Sequence, residues 1–295
     1  MFTKIVVAAL FSVALAAADQ SVAAPDWTVV ANALGKSGTA MPGGVYRVGL
    51  PRTDLTVTLD GLTLKPSLAL GTWLAFAPMG KKAVVMGDLV LTEEEVSPVM
   101  KKLADEQIEI TALHNHLFRA RPVTFYVHVY GMGDPVTLAR ELHDALVLSK
   151  TPLGATPPPP PNPTIDLDTA AIDRAFGATG KIAGGVYQVG IPRKAPVTEH
   201  GMTIPASMGS AESINFQPSG KSKAAITGDF VLTASEVNPV LRALRDSGIE
   251  VTALHNHMLD EQPRLFFMHF WANDDLAKLL KGLQAALANV AVLKR

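Results

Sequence analysis

The sequence contains no cysteine, which excludes disulfides, thiolate metal ligands and cysteine nucleophiles together. Charge is scarce as well: charged residues make up 18% of the chain and the formal net charge is −1. A chain so nearly neutral has no basic field to draw nucleic acid or an anionic membrane, so no nucleic-acid partner is expected. Neither a phosphate loop of the P-loop or dinucleotide type nor a G-x-S-x-G elbow is present. The composition also lacks the polar bias of disorder. Apolar residues make up 48% of the 295 residues, enough for two domains with real cores.

What is present begins with a leader-like start. Lys4 precedes the apolar run "IVVAALFSVALAAA", which has the length of a signal-peptide core and is too short to span a bilayer. Small-residue cleavage sites follow at Ala16-Ala17-Ala18 and Ser21-Val22-Ala23. Residues 1–23 are therefore expected to be a cleaved signal peptide and the mature protein periplasmic or secreted. No cysteine stands at the cleavage site, so no lipid anchor is expected.

Residues 156–163, "TPPPPPNP", form a proline tract that suits an extended spacer of roughly 25 Å. It separates two copies of one domain, 24–155 and 164–295. "GGVYRVGLPR" at 43–52 matches "GGVYQVGIPR" at 184–193, and "GDLVLTEEEVSPVMKKL" at 87–103 matches "GDFVLTASEVNPVLRAL" at 228–244. "PVTFYVHVYG" at 122–131 likewise matches "PRLFFMHFWA" at 263–272. The copies are longer than solenoid repeats, so each is expected to have its own core and to pair with the other inside the chain. Within each copy the pattern reads as an opening helix (26–34; 168–176), strands, an amphipathic helix (93–105; 234–246), two more strands and a closing helix. That order predicts an α+β fold, each domain an antiparallel sheet with helices packed on one face.

Six of the eight histidines are matched pairs: His114/His255, His116/His257 and His128/His269. The first two pairs belong to His-Asn-His at a strand end, where alternation aims both imidazoles at one face. The third pair lies on the next strand, after a connection short enough to make the two strands antiparallel neighbours. Three imidazoles so placed suit a divalent transition metal, zinc first, with copper, nickel or iron as alternatives. Separate triads would suit a carrier or sensor, and a single composite site would suit catalysis. Structural hydrogen bonding by the same histidines is the competing reading. The letters H-N-H do not indicate the nuclease of that name, which needs a longer motif and affinity for DNA. Met258 and Met268 adjoin histidines but are matched by Leu117 and Val127, so they read as core residues rather than copper ligands.

Four carboxylates are candidates for catalysis beside such a metal: Glu95, Glu236, Asp88 and Asp229. Each glutamate stands three residues after a threonine, the spacing of a capping box, and capping is the favoured role. Ser97-Pro98 and Asn238-Pro239 offer a competing helix start. The aspartates follow glycines and read either as turn residues or as carboxylates that orient a ligating imidazole. Tyr46 and Tyr187 suit strand packing. Arg52 and Arg193, at strand ends, read as surface anchors.

The stretch "GDFVLTASEVNPVLRALRDSGIEVTALHNHML" followed by "EQPRLFFMHFW" resembles the LppY/LpqO lipoprotein family, a domain of unknown function, and the resemblance runs through both halves. It implies an exported bacterial protein and brings no activity or substrate with it. The missing cysteine departs from the lipoprotein pattern, so anchoring is not implied here. The leading expectation is an exported metal-binding protein. The alternatives are a metal-dependent hydrolase acting on a cell-envelope component, and a metal-free module that binds a small molecule or an envelope partner.

Overall fold

The computed structural model describes residues 25–155 and 163–293. The expected signal peptide and all of the proline tract except Pro163 lie outside them. The first repeat runs α1 (Trp27–Leu34), β1 (Thr39–Ala40), β2 (Tyr46–Pro51), a short hairpin of β3 (Thr58–Leu59) and β4 (Leu62–Thr63), and a single turn α2 (Pro66–Ala69). It continues through β5 (Gly71–Met79), β6 (Lys82–Thr92), α3 (Glu93–Asp105), β7 (Glu109–His114), β8 (Thr124–Gly133) and α4 (Pro135–Leu146). The second repeats the plan. It opens with α5 (Thr169–Phe176), β9 (Lys181–Ala183), β10 (Val186–Pro192), the hairpin β11 (Thr198–Glu199) and β12 (Met202–Thr203), and a 3-10 turn at Ala206–Met208. Then follow β13 (Ala211–Gly220), β14 (Lys223–Leu232), α6 (Ala234–Asp246), β15 (Glu250–His255), β16 (Phe266–Asp275) and α7 (Leu276–Leu287).

Local chemistry sets the helix ends. The Asp26 and Asp168 carboxylates accept from Thr28 N and Ala171 N, and Gly35 and Gly177 close the same helices in the left-handed conformation. Complete capping boxes, Thr92 with Glu95 and Thr233 with Glu236, start α3 and α6. Each helix therefore begins a turn before the competing cap, and Pro98 and Pro239 lie inside it.

Each repeat builds one six-stranded antiparallel sheet, in the orders β1-β2-β5-β6-β8-β7 and β15-β16-β14-β13-β10-β9. One face of the first sheet carries Val48, Leu74, Phe76, Val85, Leu89, Val127 and Val129 against α1, α3 and α4. The second sheet packs on α5, α6 and α7 in the same way. Opposite faces of the two sheets bury one another. Ala75, Val84, Met86 and Tyr130 share a core with Ile204, Met208, Val231 and Phe267. Val90, Leu117 and Tyr126 share another with Val186, Ala225 and Trp271. The result is four layers, helices outside and two facing sheets inside. The β3–α2 excursion clasps the other sheet: Gln217 Oε1 accepts from Lys65 N at 2.8 Å, and Gln217 Nε2 donates to Thr63 O at 2.9 Å.

Candidate metal centre

The ladder puts the site residues on the inner faces. Asp88 lies opposite His128 and His114 opposite Tyr126; Asp229 lies opposite His269 and His255 opposite Phe267. Residues opposed in an antiparallel pair share a face, so these side chains all point between the sheets. A glycine precedes each aspartate because no side chain fits: a Cβ on Gly228 would stand 1.9 Å from Ser213 O, and one on Gly87 2.7 Å from Trp73 O. β7 and β15 carry a register shift between Ile110 and Ala112 and between Val251 and Ala253. The intervening Thr111 turns across the interface, its Oγ1 donating to His257 O at 2.6 Å while its carbonyl accepts from Asn256 Nδ2 at 2.8 Å.

Strand alternation does not place His116 and His257, because the strands end at His114 and His255. Both lie in the bends that follow. Those loops are held by the hairpins: Thr58 and Arg121 exchange both backbone hydrogen bonds at 2.9 Å, and Thr198 pairs with Gln262 in the same manner. The rings still converge, with centroids 4.9 Å apart for His114 and His116 and 5.1 Å for His255 and His257.

The two histidine sets meet in one centre between the repeats. His114 stacks on His255 and His116 on His269, each with centroids 3.5 Å apart, and His128 stacks on His257 at 3.9 Å. Asp229 Oδ1 stands 3.0 Å from His269 Nε2 without hydrogen-bond geometry, while the Asp88 carboxylate oxygens stand 3.9 Å from His116 Nε2 and His128 Nε2. Three overlapping groups have donor atoms mutually within 4.8 Å: His114/His116/His255/His269, Asp229/His255/His257/His269 and Asp88/His116/His128. The last two share no residue, so together they offer donors for two ions at once. The Nε2 atoms of all six histidines and the Oδ1 atoms of both aspartates are buried without a hydrogen-bond partner among the described residues. His269 uses its other ring nitrogen, Nδ1, on Gly228 O at 2.9 Å, and His128 bonds Gly87 in the equivalent way. Such a bond orients the ring and leaves Nε2 for a ligand.

Burial is the main electrostatic influence. Desolvation, then the neighbouring imidazoles, hold His116, His128, His255 and His257 well below the usual histidine range, and His114 is brought down to about 4. These rings are neutral at pH 7, the form that ligates metal. Burial, reinforced by the charge of Asp229, pushes the Asp88 carboxyl well above its ordinary value.

The other candidates lie elsewhere. The structure does not bring Glu95 or Glu236 to the histidines. Glu95 accepts from Arg52 and from the backbone of Thr92 and Lys150, and Glu236 from Arg193, Thr233 and Ala291. Arg52 and Arg193 are not surface anchors: they are 0% and 7% exposed, because each ends its strand beneath the start of a helix and is enclosed with carboxylates. Met258 and Met268 are buried in hydrophobic clusters.

Beside the centre lies a cavity of about 470 Å³, whose lining includes Arg47, Trp73, Asp88, His116, Asp229 and His269. Arg47 and Trp73 escaped the sequence reading. The signal was there: Arg47 and Gln188 are the single change of charge between "GGVYRVGLPR" and "GGVYQVGIPR".

A family model described as Domain of Unknown Function (DUF1259) matches residues 28–148 and again 170–289, so the chain belongs to that family, with two tandem copies of its domain. No curated protein matches. Among solved structures, a trimeric bacterial microcompartment shell protein, PduB, aligns at 12% identity over 87% of this chain and 91% of its own, with a TM-score of 0.21. EtuB from Clostridium kluyveri aligns at 9% identity over 86% and 90%, with a TM-score of 0.20. Likenesses this slight carry no statement about fold or function.

Proposed function

We propose that this tandem member of the DUF1259 family binds divalent transition metal, zinc first and copper, nickel or iron as alternatives, at the centre formed by His114, His116, His128, His255, His257 and His269 with Asp88 and Asp229. One observation carries the reading: eight buried donor atoms converge there without hydrogen-bond partners among the described residues. Buried polar atoms are overwhelmingly paired, and each unpaired one calls for an explanation such as an ion. Neutral imidazole and carboxylate are the ligand types that zinc takes at roughly 2.0–2.2 Å. Export to the periplasm belongs to the same proposal and is supported by residues 1–23. So does the finer LppY/LpqO relationship, supported by the motif through residues 228–271.

A second reading, metal-dependent hydrolysis, is favoured by the cavity that reaches Asp88, His116, Asp229 and His269. A metal at its wall would polarise a bound ester or activate a water, with Asp88 or Asp229 as the available carboxylate. Glu95 and Glu236, tied up in ion pairs, have no part in it.

One preparation tests both. Mature protein purified without a His-tag or chelator is analysed by inductively coupled plasma mass spectrometry beside the His255→Ala/His257→Ala variant. We expect one to two equivalents of metal in the wild type and a loss of at least half in the variant. A wild type that takes up no metal after reloading would leave structural histidines and sink the proposal. Turnover of 4-nitrophenyl esters or phosphoesters by the loaded wild type, absent from the variant, would select the hydrolase reading.

A further inference from the structure

The cavity beside the histidines contains a cation whose neighbouring opposite charge is Asp88 of the metal centre, too far away for an ion pair. Arg47 is half-buried and forms no ion pair among the described residues. The contrast with the two other inward arginines is sharp, since Arg52 and Arg193 each meet two carboxylates. The Arg47 guanidinium lies 4.0 Å above the centroid of the Trp73 ring, and one nitrogen donates to Ser207 O at 2.5 Å. Stacking fixes its plane and the carbonyl takes one of its five donors, leaving the others without a partner among the described residues. Ser207 lines the same cavity, and its Oγ is buried without a partner among the described residues. Of the acids lining the cavity, Asp88 and Asp229 belong to the proposed metal centre. Glu212 turns away, accepting from Val231 N and facing Arg193.

We propose that this cavity binds a small molecule through an oxyanion group, a carboxylate or a phosphate, held by the Arg47 guanidinium and the Ser207 hydroxyl beside the metal centre. The inference rests on the metal reading, because metal neutralises the two aspartates that would otherwise repel the anion. A planar guanidinium presents paired donors that match a carboxylate or phosphate. About 470 Å³ suits a metabolite-sized molecule rather than a polymer.

The second repeat supplies the control. At the position of Arg47 it carries Gln188, whose Nε2 donates to Ser67 O at 2.9 Å, the counterpart of the bond from Arg47 to Ser207 O. Glutamine therefore keeps the strut between repeats and removes the charge together with the guanidinium's remaining donors. Zinc-loaded, desalted wild type and Arg47→Gln are titrated calorimetrically with inorganic phosphate and, separately, with succinate. The wild type should bind at least one of them, and the anion preferred identifies the group. Arg47→Gln should bind roughly 10- to 100-fold more weakly, with zinc content and melting temperature unchanged. Equal affinities in the two proteins, or no binding of either anion by the wild type, would overturn the inference. Should neither protein retain zinc, the metal reading falls instead. The same titrations on the zinc-free pair then decide the Arg47 site alone, a difference supporting it and equality overturning it.

Discussion

Arg52 shows how one side chain can be misread when its partners are remote. At the end of β2 it looks like a surface residue, yet its Nη1 donates to Val90 O at 2.6 Å and pairs with Glu95 at 2.7 Å, while Asp54 takes the other edge. The second copy solves the same problem differently. Asp54 is replaced by Ala195, and Glu212 stands at the strand position of Thr72 to face Arg193. Two carboxylates per buried guanidinium are kept although they come from different places, as expected when an unpaired buried charge is costly. Arg52→Ala should therefore lower stability by about 3–5 kcal/mol, the usual cost of breaking a buried pair from one side. Urea denaturation at pH 7 checks this, and a loss below about 1 kcal/mol would reduce the cluster to an ordinary surface pair. None of it was legible in sequence, since the Arg52–Glu95 separation is set by a strand crossing and not by local spacing.

Among the elements, the helices were the most legible. Capping residues act within one turn, so α3 and α6 begin where Thr92, Glu95, Thr233 and Glu236 indicate. Their glutamates also carry a pH dependence. Burial by itself would raise Glu95, but hydrogen bonds from Arg52, Thr92 N and Lys150 N outweigh it and leave the carboxyl below its ordinary 4.5. A carboxylate with a depressed folded value adds stability that is present above the unfolded value and lost as pH falls through the folded one. Denaturation midpoints should therefore fall between about pH 5 and 3 in the wild type and fall less in Glu95→Gln. Identical acid limbs would assign the loss to other groups. The strands were legible in position but not in register. The shift at Thr111 in β7 and the bends that carry His116 and His257 depend on what the other repeat presents, and no local propensity encodes that.

At the scale of the molecule, each repeat has a helix-covered core of its own, but its inner face is finished only by the other copy. Separated, residues 24–155 would expose Val45, Ala75, Val84, Val90 and Tyr126, all now buried. Apolar surface of that kind drives association. The isolated first repeat should elute as a dimer or larger species in size-exclusion chromatography with light scattering. A stable monomer with wild-type metal content would show that the inter-repeat centre is dispensable.

The sequence by itself determined the duplication, the α+β character, the helix limits and the three matched histidine positions, because periodicity, caps and repeated strings are local or self-similar signals. Only the tertiary structure decided that the two triads form one centre, that Asp88 and Asp229 join it while Glu95 and Glu236 do not, and that Arg47 faces the cavity outside any ion pair among the described residues. Those facts depend on which faces two sheets turn toward each other. That choice is made by burial of both inner surfaces at once, and it leaves no trace in the spacing of residues along either copy.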